Sequence, residues 1–294
     1  MSLRNAIRRG RAGRCLVAVG LLFGATTLTT ALGTVTSVAA PGAAYASSSG
    51  GSIHPGIELT SPQGQCTANF IFTAGNKVLI GQAAHCTGKG NDSQTDGCKS
   101  RSAPLGTPIK IRGASERGRL VYNSWLTMQN RHERNKDVCA YNDFALVEID
   151  SADVKRVDPT VPVFGGPTGL RTRGLADRAR VYSYQNSALR QGLTQTSAKS
   201  GFSLGDSAGG REHQVATLTP GVPGDSGSGF MDADGRAFGV LSTLNLDPAP
   251  GTNGVADLAK ALEYANRYGN LGHIQLEHGH RRFDASAGGL IPGL

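Results

Sequence analysis

The chain contains a series of short apolar segments in which apolar and polar side chains tend to alternate. Gly, Pro, Asn and Asp residues separate these segments, as turns between strands require. The segments are residues 68–72, 77–80, 108–111, 118–122, 144–149, 180–184, 214–218 and 237–242. Many short strands joined by turn-rich loops, without helical patterns between them, predict an antiparallel barrel or sandwich rather than a parallel α/β sheet.

One segment near the C-terminus has helical periodicity instead. Apolar residues recur at helical spacing over residues 254–269, with Asp257 in the first turn and Arg267 in the last. We therefore predict a C-terminal helix there. The tail that follows, residues 270–294, has little pattern and is expected to pack loosely.

The first 46 residues have the pattern of a secretory signal peptide. Five arginines precede an uncharged stretch that runs from Cys15 to about Ala40. The tripeptide at residues 44–46 matches the small-residue cleavage signal, and a cut near Ala40 is the second choice. A retained membrane anchor is the alternative, because the stretch exceeds the roughly 18 residues of a spanning helix. We predict secretion, with membrane contact only through residues 1–46, and a flexible segment over residues 47–65.

Removal of this signal would change the charge balance. It contains five of the 30 Lys and Arg residues and none of the 22 Asp and Glu residues, so the formal net charge would fall from +8 to +3. Nucleic-acid binding normally requires Lys and Arg clustered on one face together with a motif that presents them. The nearest cluster, at residues 171–180, is explained by a solvated loop. We therefore expect no nucleic-acid partner.

Three short sequences together carry the candidate chemistry. They are residues 82–86 with His85, residues 141–147 with Asp143, and residues 223–229 with Ser226. A serine hydroxyl is a weak nucleophile at neutral pH, so peptide hydrolysis needs an imidazole to accept its proton and a carboxylate to orient that imidazole. Asp137 is the competing aspartate, but only Asp143 directly precedes an apolar strand that can bury its carboxylate.

The three motifs, in the order His, Asp, Ser, resemble those of the chymotrypsin-like serine proteases. The resemblance implies an all-β fold of two antiparallel six-stranded β-barrels with the active site between them, and we place these barrels at residues 66–158 and 159–253. The implied activity is that of a serine endopeptidase that cleaves proteins or peptides through an acyl-enzyme intermediate. We expect a monomer that needs no cofactor.

The same resemblance assigns supporting roles to other residues. The backbone N–H groups of Gly224 and Ser226 would form the oxyanion hole. Ser242 would hydrogen-bond the triad aspartate, and Thr243 and Leu244 would run antiparallel to the substrate backbone.

Five cysteines are present, of which Cys15 would leave with the signal. The other four are Cys66, Cys86, Cys98 and Cys139. An even number in an oxidising compartment predicts two disulfides, and the residues alone leave three pairings open. A metal site is the rival use, but no C-x-x-C pair is present and we predict none. The resemblance implies that Cys66 pairs with Cys86, beside the histidine, with Cys98 and Cys139 as the second pair.

Two departures from the family bear on activation and specificity. No activation sequence headed by Ile or Val precedes Cys66, so Asp225 needs another partner, and an arginine is expected. Pro220 stands where trypsin-type members have an aspartate, six residues before Ser226. Leu241 stands where glutamate-specific bacterial members have a histidine. We therefore predict a neutral or apolar substrate side chain at P1.

Two alternatives remain open. Residues 205–209 match the G-x-S-x-G nucleophile elbow of α/β-hydrolases, which would make the protein an esterase or lipase that uses Ser207 and recruits Asp247 and His273. The elbow must precede a helix, whereas the residues that follow Ser207 have a strand pattern. The second alternative is a catalytically silent binding module on the same fold, which the intact triad motifs disfavour.

Overall fold

The computed structural model describes residues 50–89, 96–191, 193, 196–245 and 251–288. The predicted signal peptide, residues 1–46, lies outside these residues, as do Asp247 and the last part of the tail, residues 289–294. Within the described ranges the chain forms fifteen strands and three α-helices, and the strands belong to two sheets. The predicted all-β architecture is confirmed.

The first sheet has eight strands in the order β15-β3-β4-β7-β6-β5-β1-β2. They are β1 (Glu58–Ser61), β2 (Gly64–Thr67), β3 (Ile71–Ala74), β4 (Lys77–Gln82), β5 (Pro108–Ile111), β6 (Gly118–Asn123), β7 (Ala145–Glu148) and β15 (Ile274–Leu276). Residues 68–70 connect β2 to β3 and stay paired on both sides. The amide of Ala68 donates to the carbonyl of Ile57, and the amide of Asn69 donates to the carbonyl of Gly81, each at 2.9 Å. The sheet therefore curls around its own apolar core.

The second sheet has seven strands in the order β12-β9-β10-β11-β14-β13-β8. They are β8 (Gly169–Leu170), β9 (Arg180–Tyr184), β10 (Ala198–Ser207), β11 (Glu212–Thr217), β12 (Gly229–Asp232), β13 (Arg236–Asn245) and β14 (Thr252–Asp257). Strand β12 also pairs with β13, so six of these strands close into a barrel. Its core contains Val181, Val215, Phe230, Phe238 and Val255.

A third apolar cluster joins the two sheets. It includes Phe72 from β3, Tyr182 from β9 and Leu262 from the C-terminal helix, and all three side chains are buried. Burial of large apolar side chains is the main stabilising contribution to folding. The two sheets are therefore held against one another by a shared core.

Three helices accompany the sheets: α1 (Ser124–Asn130), α2 (Lys136–Tyr141) and α3 (Leu258–Tyr268). The predicted C-terminal helix is present, but it begins later than expected because the preceding residues form β14. The side chain of Asp257 accepts from the amide of Lys260 at 2.7 Å and caps α3. The sequence analysis missed α1 and α2, which are short and are capped by Asn123 and Asn135. No helix in the described ranges is long and apolar enough to span a membrane.

Two segments that were expected to be loosely held belong to the first sheet. Strand β1 lies within residues 47–65, and the apolar side chains of Ile53 and Ile57 just before it are buried. Strand β15 lies in the tail and pairs antiparallel with β3, so that Ile274 faces Ala74. Both segments are mostly polar, so their few buried apolar residues did not indicate strands in the sequence. The residues that they contact are distant in sequence.

Candidate active site

His85 and Asp143 meet because their strands are neighbours. Strands β4 and β7 pair antiparallel, with Gln82 opposite Ala145. The residues that follow β4 therefore lie beside those that precede β7. His85 follows β4 in a 3-10 turn (Ala84–Thr87). Its Nδ1 lies 2.7 Å from Oδ2 of Asp143, and its backbone N–H donates to Oδ1 at 2.9 Å. The imidazole is therefore held to the carboxylate by its ring and by its own backbone.

The carboxylate of Asp143 is buried and accepts a third hydrogen bond. The hydroxyl of Ser242, on β13 of the other sheet, donates to Oδ2 at 2.5 Å. Burial alone would raise the pKa of Asp143, but the charge of His85 and the hydrogen bonds from His85 and Ser242 lower it below its usual range. The group therefore stays ionised and can keep Nδ1 of His85 protonated.

Ser226 lies in the loop before β12, and this loop packs on the residues around His85. The carbonyl of Ser226 accepts from the amide of Thr67 at 2.9 Å. Gly227 has a φ of 89°, and a Cβ there would lie 2.6 Å from the carbonyl oxygen of Thr67 and 2.9 Å from the nitrogen of Ala83. Only glycine fits such a close backbone approach. The Ser226 loop is thus pressed between β2 and the start of the His85 turn.

The two predicted disulfides are present. Cys66 bonds to Cys86 across a sequence separation of 20, and Cys98 bonds to Cys139 across a separation of 41. The sulfur of Cys86 also lies 4.0 Å from the carbonyl oxygen of Ser226. The first disulfide therefore joins β2 to the His85 turn and packs against the Ser226 loop. Because these cysteines are oxidised, they offer no thiolate to a metal.

Asp225, the residue before Ser226, is fully buried and has several donors. The guanidinium of Arg190 binds both carboxylate oxygens. The backbone N–H groups of Ser187 and Val222 donate to the same carboxylate at 3.0 Å and 2.9 Å. The arginine expected as the partner of Asp225 is therefore Arg190.

The backbone around Gly224 and Ser226, the two predicted oxyanion donors, makes a tight turn. Gly224 has a φ of 94°, which favours glycine. The amide of Asp225 is occupied, since it donates to the carbonyl of Val222 at 2.9 Å. Within the described part of the chain, the N–H groups of Gly224 and Ser226 donate to no other group. These two amides flank the occupied one along the loop.

Comparison with solved structures identifies the architecture. Thermobifida fusca protease A is similar with a TM-score of 0.51 and 19% sequence identity, over 77% of this chain and 99% of that one. The fold is chymotrypsin-like. Nocardiopsis protease (TM-score 0.45, 18% identity, 76% of this chain and 98% of that one) and Cellulomonas bogoriensis chymotrypsin (TM-score 0.46, 15% identity, 76% and 98%) are also similar. No family model and no curated protein matches the sequence.

In this chymotrypsin-like fold the end of β13 lies next to Asp143, through the hydrogen bond from Ser242. Ser242 sits at a register shift in the pairing of β13 with β14, and Thr243 and Leu244 resume the pairing opposite Gly254 and Asn253. Strand β12 pairs with β13 only as far as Val240. Thr243 and Leu244 therefore extend β13 beyond its pairing with β12.

Pro220, at the position that the resemblance links to specificity, is exposed, and a buried lysine supports the chain beneath it. The Nζ atom of Lys199 donates to the carbonyls of Thr219 and Pro220 at 2.7 Å and 3.3 Å, and also to the Thr219 hydroxyl. Burial and the charge of Arg190 lower the pKa of Lys199 to about 8. A buried ammonium group therefore lies directly behind the carbonyls of Thr219 and Pro220.

Ser207 has surroundings that differ from those of a nucleophile elbow. It ends β10 in a hairpin with β11, whereas an elbow joins a strand to a helix. Its hydroxyl donates to the carboxylate of Glu212 at 2.6 Å. The nearby His213 is buried, with its two ring nitrogens 2.6 Å from Asp206 and 2.9 Å from Asp257. Both nitrogens are engaged by carboxylates, so this imidazole is not placed to activate Ser207.

Proposed function

We propose that the protein is a secreted serine endopeptidase of the chymotrypsin-like family, with Ser226 as nucleophile, His85 as general base and Asp143 as the residue that orients His85. The observation that carries the proposal is the buried Asp143 carboxylate, which holds Nδ1 of His85 at 2.7 Å and accepts from Ser242 at 2.5 Å. A buried carboxylate bound to one imidazole nitrogen directs the other nitrogen towards proton transfer.

The proposed reaction assigns a step to each of these residues. Nε2 of His85 accepts the proton of the Ser226 hydroxyl as its oxygen attacks the substrate carbonyl. The N–H groups of Gly224 and Ser226 stabilise the negative oxygen of the tetrahedral intermediate. The imidazolium then protonates the leaving amine, and water, activated by the same imidazole, hydrolyses the acyl-enzyme.

The proposed substrate is a protein or peptide that binds in an extended conformation along Thr243 and Leu244. A neutral or apolar P1 side chain fits best, because Pro220 offers no negative charge and Lys199 lies behind it. We propose that the enzyme acts as a monomer without a cofactor. The proposed barrels remain those at residues 66–158 and 159–253, with β1 and β15 added to the first.

Secretion is the remaining part of the proposal. It is supported by the uncharged stretch after five arginines and by the two disulfides, which form and persist in oxidising compartments.

The test is covalent labelling of the secreted protein with a fluorophosphonate, followed by peptide mapping of the modified serine. We expect label on Ser226 in the wild type and in Ser207→Ala, and none in Ser226→Ala. His85→Ala should lose labelling and peptide hydrolysis together, because the base is gone. Ser207→Ala is the matched control, since it removes the other candidate hydroxyl.

Other results would contradict the proposal. Label on Ser207 would instead indicate the esterase alternative. A folded wild-type protein that takes no label and cleaves no peptide would indicate a catalytically silent module. Retained turnover in Ser226→Ala would exclude Ser226 as the nucleophile.

A further inference from the structure

The direction of the Gly224 N–H is set by the peptide that joins Pro223 to Gly224, and the peptide that follows restricts how far that group can rotate about the Gly224 Cα. In a trans peptide the C=O and N–H groups point in opposite directions. The carbonyl of Pro223 belongs to the same peptide as the Gly224 N–H, and it accepts from the Ser187 hydroxyl at 2.5 Å. The carbonyl of Gly224 belongs to the next peptide. Fixing both carbonyls leaves the Gly224 amide little freedom to rotate.

The donors that fix the Gly224 carbonyl come from the first sheet. The hydroxyl of Thr67, on β2, donates to it at 2.8 Å, and Nε2 of Gln65 donates to it at 3.0 Å. Thr67 is fully buried, and its hydroxyl also accepts from the amide of Asn186 at 3.2 Å. The loop that contains Gly224 and Ser226 is thus hydrogen-bonded to β2, a strand that carries none of the proposed triad residues.

Gln65 also reaches the segment that supplies the partner of Asp225. Its Nε2 lies 3.2 Å from the carbonyl of Asn186, and its Oε1 accepts from the amide of Ala188 at 2.9 Å. Arg190, which binds Asp225, follows two residues after Ala188 in the same 3-10 turn. One glutamine therefore joins the first sheet to the Arg190 turn and to the Gly224 loop.

We propose that Gln65 and Thr67 are positioning residues that hold the Gly224 amide in the direction needed to stabilise the oxyanion. This inference rests on the proposed function and goes beyond the triad and the amides themselves. The side chains touch no reacting atom. They act through the Gly224 carbonyl, which makes formation of the oxyanion hole depend on contact between the two sheets.

The test compares Thr67→Val, which removes the hydroxyl at nearly constant volume, with Thr67→Ser, which retains it. We expect Thr67→Val to lower kcat roughly tenfold with KM nearly unchanged, a fraction of the loss seen when an oxyanion donor is removed. Binding of a peptide trifluoromethyl ketone, whose adduct carries an oxyanion, should weaken by a similar factor. Thr67→Ser should restore both values to near those of the wild type.

A second variant and a control separate positioning from general stability. Gln65→Met should also lower kcat and ketone binding, and it serves as the test if Thr67→Val does not fold. Thr73→Val is the control, because the Thr73 hydroxyl donates to Glu277 at the opposite edge of the same sheet from β2. We expect it to leave kcat unchanged.

Two outcomes would overturn the inference. One is a Thr67→Val or Gln65→Met enzyme whose thermal midpoint falls while kcat and ketone binding stay at the wild-type values. The other is a loss that Thr67→Ser does not restore. Failure of the proposed function is distinguishable, since the wild type would then take no fluorophosphonate label on Ser226.

Discussion

The guanidinium of Arg190 binds the buried carboxylate of Asp225, the residue immediately before Ser226. The backbone N–H groups of Ser187 and Val222 donate to the same carboxylate. The residue before Ser226 is therefore held by groups from within the described part of the chain.

Loss of this ion pair should be costly. Arg190→Met would leave Asp225 buried and unpaired, and breaking a buried pair in this way destabilises proteins by about 3–5 kcal/mol. We expect lower activity and a lower thermal midpoint, measured by peptide hydrolysis and calorimetry. Arg112→Met is the control, because its pair with Glu58 is largely exposed and should contribute under about 1 kcal/mol. Equal effects of the two variants would contradict this role for Arg190.

The two disulfides should separate activity from stability. Each closes a loop, so removing either pair by Cys→Ala substitutions should cost about 3–4 kcal/mol in the chain-entropy model. Only the Cys66–Cys86 bond joins the His85 turn to β2, the strand whose Thr67 amide binds the Ser226 carbonyl. We expect loss of that pair to lower kcat as well, whereas the variant without Cys98 and Cys139 should keep kcat at temperatures where it is folded. A lower kcat in the variant without Cys98 and Cys139 than in the variant without Cys66 and Cys86 would contradict this prediction.

Acid should remove the stabilisation that Asp143 contributes. The pKa of Asp143 in the folded state is lowered from 3.8, despite its burial, by the charge of His85 and by the hydrogen bonds from His85 and Ser242. A group with a depressed folded pKa stabilises fully above its unfolded pKa and loses that effect as pH falls through the folded pKa. The stability advantage of the wild type over Asp143→Asn should therefore shrink as the pH falls below about 5. Denaturant titrations at several pH values measure this difference.

His213 should produce a pH dependence of the opposite sign. Burial alone would lower its pKa, but the hydrogen bonds and charges of Asp257 and Asp206 raise it above 6.5. A raised pKa stabilises fully below the unfolded value and loses that effect as pH rises through the folded value. Wild-type stability should decline over that upper range, and His213→Gln should flatten the decline. An unchanged slope in His213→Gln would exclude this residue as its source.

Basic P1 side chains should be poor substrates. The Lys199 ammonium lies 2.7 Å from the Thr219 carbonyl and 3.3 Å from the Pro220 carbonyl, and bringing a second cation beside it costs several kcal/mol when desolvated. We expect kcat/KM for Lys or Arg at P1 to be about 10²-fold below that for Ala, Leu or Phe in otherwise identical peptides. A preference for Arg would contradict the specificity proposal.

Much of the fold and of the candidate site could be predicted from local sequence. Alternation of apolar and polar residues indicates strands wherever one face is buried, and the predicted segments overlap eight of the fifteen strands in the described residues. The sequence predicted His85, Asp143 and Ser226 as candidate catalytic residues, because each stands in a short motif whose residue types suit serine-hydrolase chemistry. Helices α1 and α2 escaped notice because they are too short for a helical period to show.

Tertiary structure alone decided the contacts between residues far apart in the chain. The sequence around Arg190 does not distinguish it from the other arginines of the chain. Only the packing of its turn on the Ser226 loop identifies it as the partner of Asp225. Gln65 lies 159 residues from Gly224, so no periodicity links them. Local pattern predicted about half of the strands and the candidate catalytic residues, because alternation and short motifs are properties of neighbouring residues. The geometry around Ser226 depends on donors that only the assembled sheets bring together.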